Sequence, residues 1–224
     1  MKTAPDRTTT REARFGGVLL ALGALVIMVC ILQEVGAGWA SLTADLVRNN
    51  FEAGTFLSEH WGRMQSIWGS ALFGNVCLLV AALLLFKLRP RSRRLPESLI
   101  WAVYFLGNLC MVLSFSVSLG SYPGAFSVLG EQPYLFEAVR GIAVYLFQLG
   151  MVCSLSVFVV YFQEAFRTRG VVSRRQALIV LGLLVATLGL LIGGWLSFTV
   201  FALVCHLVPI LLGVGYFRHE DSLL

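Results

Sequence analysis

Residues 67–97 read IWGSALFGNVCLLVAALLLFKLRPRSRRLPE. The run Ile67–Phe86 carries no charge, and FKLRPRSRRLPE (86–97) then holds five of the chain's seventeen Lys and Arg. Twenty helical residues rise about 30 Å, the thickness of a bilayer's hydrocarbon core. The basic cluster is therefore either a patch for nucleic acid or phosphate, or a device that orients a membrane chain. The rest of the sequence decides between the two.

Of 224 residues, 58% are hydrophobic and 13% are charged. Soluble domains are about 45–50% apolar and about a quarter charged. One soluble core of ordinary size does not absorb this surplus, so the chain reads as an integral membrane protein. Six apolar runs are found: Phe15–Leu32, Ile67–Phe86, Leu99–Leu119, Ala138–Phe162, Ala177–Gly194 and Leu196–Phe217. Inside lipid the backbone must satisfy itself, and none of the runs shows the alternation of a membrane barrel. The expected fold is all-α: a polytopic bundle of six transmembrane helices over residues 15–217, between basic tails at 1–14 and 218–224.

Charge sets the expected orientation. Lys2, Arg7, Arg11 and Arg14, the five bases of 86–97, Arg167, Arg169, Arg174, Arg175 and Arg218 place fourteen basic residues on one side; Arg48, Arg63 and Arg140 place three on the other. Lys and Arg are retained in the cytoplasm, so both ends are expected there, in a bacterial cytoplasmic membrane. Glu34, Asp45, Glu52, Glu59, Glu131 and Glu137 all fall outside. The bases of 86–97 thus lock the second connection in place and attract anionic headgroups. A dozen residues between two helices offer no reading surface, so nucleic acid is not an expected partner. The first run is long for a signal peptide, and VGAGWAS after it is a poor cleavage site; it is read as retained.

Between the spans, residues 33–66 interleave aromatic and charged positions and predict an outer cap. It would be one or two interfacial helices broken near Gly54, with the trailing part extending the second span. SYPGAFSVLGEQPYLFE (121–137) reads as an ordered loop, and Gly193–Trp195 as a tight turn. Trp39, Trp61, Trp68, Trp101 and Trp195 map near the interfaces as an aromatic belt.

Chemistry is expected at two depths. Asn75, Asn108, Gln148 and His206 each lie about eight to ten residues inside a span, at the midplane, where facing lipid is costly. They are expected to face inward and meet, as a ligand site or as hydrogen bonds between helices. At the outer face stand Glu52, Glu59 and His60. Cys30, Cys77, Cys110, Cys153 and Cys205 all lie in apolar runs and read as packing. His60 and His219 lie at opposite faces, which argues against a buried bis-histidine haem, and Cys77, Cys110 and His206 lack metal-ligand spacing. No cofactor and no metal are expected, and no catalytic motif is present. Gly182, Ala186, Gly189 and Gly193 line one face of the fifth span, and Gly17, Ala21 and Ala24 one face of the first. Such faces pack helices within the bundle or dock a partner membrane subunit or second copy.

Three functions remain. The first is a small-molecule binding or transport subunit using the midplane set. The second is a non-catalytic scaffold or sensor in which those residues only pack. The third is a membrane enzyme working at the outer face, which the lack of a catalytic set ranks last.

Overall fold

Apolar side chains exceed what the interior can bury, and the helices carry the surplus outward: Phe73, Leu83, Tyr145, Val185 and Ile192 are all more than half exposed. That is the pattern of helices whose outer faces meet lipid. A computed structural model describes residues 7–39, 50–87, 95–166 and 170–218. Its helices are α1 (Arg7–Gly36), α2 (Asn50–Glu59), α3 (Trp61–Lys87), α4 (Leu95–Phe126), α5 (Pro133–Ser154), α6 (Ser156–Phe166), α7 (Arg174–Ile192) and α8 (Phe198–Arg218). Segments α5 and α6 run on as one span, so six helices are long and apolar enough to cross a membrane. No strand occurs among the described residues. Arg89, Arg91, Arg93, Arg94, Arg167, Arg169 and the tails 1–6 and 219–224 lie outside the described residues, as does 40–49 of the expected cap.

The helices pack in a chain of neighbours. Helix α1 lies between α3 and α8, α3 also packs on α4, and α4 on α5 and α6; α7 packs on α8 and α6. Three crossings bring backbones together. A Cβ on Gly17 would sit 2.7 Å from the Gly213 carbonyl oxygen and 2.9 Å from Tyr216 Cβ. A Cβ on Gly23 would sit 2.6 Å from the Gly74 carbonyl oxygen, and one on Gly150 2.8 Å from that of Gly107. Only hydrogen fits at those distances, and van der Waals contact is what draws helices together where no water is released. The first crossing also puts Gly17 and Gly213 at one level, so the start of α1 and the end of α8 lie at one end of the bundle, the terminal end. Helix α2 lies at the other, the cap end.

Several sequence expectations are corrected. Gly54 does not break α2: it is buried inside it, where a Cβ would meet Leu129 2.9 Å away. The break falls at His60, and α3 starts at Trp61, so the trailing part of the cap does extend the second span. Helix α1 begins at Arg7, taking in part of the basic tail, and α4 runs through Pro123 to Phe126, so the third connection shortens to residues 127–132. Trp68 and Trp101 are buried in the bundle and do not belong to a belt, whereas Trp195 is 84% exposed beside the Gly194 turn, where φ is +73°. The fourth span is interrupted at Leu155, between Ser154 and Ser156, by a tighter turn in which the Leu155 N–H bonds the Val152 carbonyl at 3.3 Å.

The small-residue face of the fifth span is not packed within this chain. Gly182, Ala186, Gly189 and Gly193 are exposed, and a Cβ on Gly182 or Gly189 would meet nothing within 4 Å. Helix α7 turns Ala177, Val180 and Thr187 inward instead. By contrast Gly17 and Ala21 of the first span do pack, against Gly213.

Two glycines therefore respond oppositely to one methyl group. Gly213→Ala lowers stability by about 1–3 kcal/mol because the neighbouring backbone must move. Gly189→Ala leaves it unchanged or raises it by up to about 1 kcal/mol through helix propensity. Thermal denaturation of the two variants in one detergent measures the difference.

Candidate functional site

The glycine crossings draw α8, α1 and α3 into one group and α4 and α5 into another. The groups meet where α3 packs on α4. Between them lies a cavity of about 550 Å³. Its walls come from α1, α3, α4, α5, α6 and α8, and its lining is mostly apolar. At the cap end stand Trp39, Trp68 and Tyr122, with ring centroids 5.8 Å apart for Trp39–Trp68 and for Trp68–Tyr122. The Trp68 indole N–H donates to Glu34 Oε1 at 2.8 Å, joining α3 to the last turns of α1.

Toward the middle of the bundle the lining turns polar. Asn75 from α3, Asn108 from α4 and His206 from α8 all line this cavity, with Tyr104 beside them. Three of the four midplane residues are thus brought to one space. Gln148 is not: it is exposed on the outer side of α5. The reason is register. Helix α5 turns Phe136, Ala143 and Gly150 toward α4 because Gly150 makes the close crossing with Gly107, and that rotation puts Gln148 outside. Thr187, at similar depth on α7, donates to the Leu183 carbonyl of its own helix at 2.8 Å and does not line the cavity.

The hydrogen bonds are local. Asn75 Nδ2 donates to the Ala71 carbonyl, and Asn108 Nδ2 to the Tyr104 carbonyl, each at 2.8 Å. His206 Nδ1 lies 2.7 Å from the Ala202 carbonyl. A carbonyl only accepts, so Nδ1 carries the proton, and in the neutral ring Nε2 is an acceptor. None of these bonds joins two helices. A bond that does, besides that of Trp68 to Glu34, is Ser114 Oγ to the Ala143 carbonyl, 2.7 Å, from α4 to α5. Beside His206, Pro209 lacks the N–H that would bond the Cys205 carbonyl.

Sequence reasoning missed Tyr104, Ser118 and Tyr122. The signal was present: Tyr104, Asn108, Met111, Ser118 and Tyr122 follow the helical repeat down one face of α4, and all line the cavity. It is hidden because the intervening positions are equally apolar on the lipid side.

The outer-face residues form no comparable site. Glu52, Glu59 and His60 are exposed. His60 Nδ1 bonds the Phe56 carbonyl at 3.0 Å, and its ring stacks on Phe56 with centroids 4.4 Å apart. Among the described residues no group of three or more His, Cys, Asp or Glu is placed to hold a metal ion. No family model, no curated protein and no solved structure matches the chain.

The cross-helix hydroxyl bond of Ser114 has a measurable weight. Ser114→Ala lowers stability by about 0.6 kcal/mol, and at most about 1.7, the range of such bonds in a membrane. Chemical or thermal unfolding in detergent reads this directly.

Proposed function

We propose that this chain is a small-molecule binding or transport subunit of a membrane, and that the cavity between α3, α4 and α8 is its site. One observation carries the reading: Asn75, Asn108 and His206 meet at one cavity, yet none of them bonds another helix. Side chains that served only to glue helices together would be bonded across them, as Ser114 is. Here one N–H of each amide and the His206 Nδ1–H are satisfied on their own helices, which leaves the two amide oxygens, the second N–H of each amide and His206 Nε2 without a partner on another helix. Burial of acceptors is costly unless something donates to them. A volume near 550 Å³ also falls in the range of about 300–1,000 Å³ usual for ligand sites. The scaffold reading has Ser114 in its favour but no account of the cavity. The enzyme reading draws no support from Glu52, Glu59 and His60.

The orientation proposed is with the terminal end in the cytoplasm of a bacterial cell. It is supported by Lys87, Arg174, Arg175 and Arg218 at the terminal end, against Glu52, Glu59 and Glu131 at the cap end. Anionic headgroups would gather at the basic end. The exposed face of α7 is where a partner subunit or second copy would be accommodated without displacing a side chain.

The site is tested by native mass spectrometry of protein extracted in mild detergent. Wild-type protein is expected to carry a bound non-protein mass, and the His206→Ala, Asn108→Ala double variant to lose it about tenfold or more, the effect of about 1.4 kcal/mol. A drop in melting temperature with no bound mass in either protein would favour the scaffold. Orientation is tested with Ser92→Cys and Ser58→Cys in intact cells. A membrane-impermeant maleimide should label the second and spare the first.

A further inference from the structure

We propose that the cavity takes a neutral long-chain alcohol and admits it sideways, from the hydrocarbon, through a slit between α5 and α8. This rests on the reading of the cavity as a ligand site and names what the site holds. The first argument is the position of the opening. Of the residues lining the cavity, four are exposed: Phe147, Val152, Leu155 and Phe198. Three lie on α5 or at the break that ends it, and the fourth starts α8. These two elements make at most slight contact, whereas α6 and α8 pack on one another, so the slit closes toward the terminal end.

Depth gives the second argument. Val152 and Leu155 lie just past the middle of the span Pro133–Phe166, so at these two residues the slit opens onto acyl chains. Phe198, the first residue of α8, carries the rim toward the cap end. All four rim side chains are apolar and give a polar solute no partner. At the cap end Trp39, Trp68 and Tyr122 stand ring against ring. An apolar chain, by contrast, exchanges one hydrocarbon environment for another.

Charge gives the third. The lining contains no Lys or Arg, and its carboxylate, Glu34, already accepts from Trp68. A phosphate or carboxylate head would be buried without a counter-charge, at high cost. What the inner end offers is neutral acceptors and donors: His206 Nε2, the oxygens of Asn75 and Asn108, and the second N–H of each amide. The head that fits is a neutral group that both donates and accepts, and a hydroxyl on a single apolar chain is the simplest such group.

The test uses the full chain in phosphatidylcholine nanodiscs with radiolabelled farnesol, 1-hexadecanol and farnesyl phosphate. At least one alcohol should bind saturably and at least tenfold more tightly than farnesyl phosphate, the tighter of the two identifying a branched prenyl or a straight chain. His206→Ala should weaken it at least tenfold. Val152→Trp and Leu155→Trp, which fill the slit from lipid-facing positions, should slow association at least fivefold. Val185→Trp, equally exposed but on α7, should leave the rate unchanged. The proposal falls if farnesyl phosphate binds as well as the alcohols, if both slit variants keep the wild-type rate, or if neither alcohol saturates. Should neither alcohol saturate while the purified protein still carries a His206-dependent bound mass, the amphiphile is wrong and the ligand site stands. Without that mass, both fall.

Discussion

Everything in this bundle depends on three places where one helix backbone touches another. Gly17 against Gly213, Gly23 against Gly74, and Gly107 against Gly150 leave no room for a methyl group. In water a bundle is drawn together by the release of ordered solvent. Lipid offers no such drive, because a leucine is as well placed against an acyl chain as against another leucine. Close approach is then the available source of attraction, and it is confined to where glycine permits it. The crossings therefore decide which helices adhere and where the bundle stays open. Two join α8, α1 and α3; one joins α4 and α5. The cavity is the space between these groups.

The polar side chains follow from that arrangement. Asn75 and Asn108 sit on the faces left uncovered by the crossings, and His206 lies two turns from Gly213 on the same helix. Each satisfies one donor on the carbonyl four residues back, the nearest acceptor available to a side chain in a helix. This lowers the cost of burying the group without binding the three together. It leaves a small set of neutral acceptors and donors at the inner end of a largely apolar space, which is how ligand sites combine volume with orientation.

Much of the fold was legible in the sequence, because length and apolarity alone set the number of spans. Ile67–Phe86 falls within one such helix, Trp61–Lys87. The position of Asn75, Asn108 and His206 well inside their helices was legible for the same reason, since it is counted along the chain. Rotation about the helix axis was not. An apolar run buried on one side and lipid-exposed on the other has no polar face to mark which is which. For that reason Gln148 was expected inside and lies outside, and Gly182, Ala186, Gly189 and Gly193 were read as packing while Gly23, Gly74, Gly107, Gly150 and Gly213 do it. Spacing showed that a small-residue face exists, and only its neighbour shows whether the face is used. At the cap, Gly54 looked like a breaker but is the point where α2 lies against Leu129 and Phe136.

The glycine crossings also shape the heat needed to take the bundle apart. Pulling α1 from α8 within a bilayer exposes their contact faces to acyl chains, not to water. The heat-capacity increment that curves the stability of soluble domains comes from hydrating apolar surface. Where that hydration is missing, separation of these helices follows a nearly straight line with temperature. The cold-side loss of stability familiar from water-driven cores has no counterpart at Gly17 and Gly213.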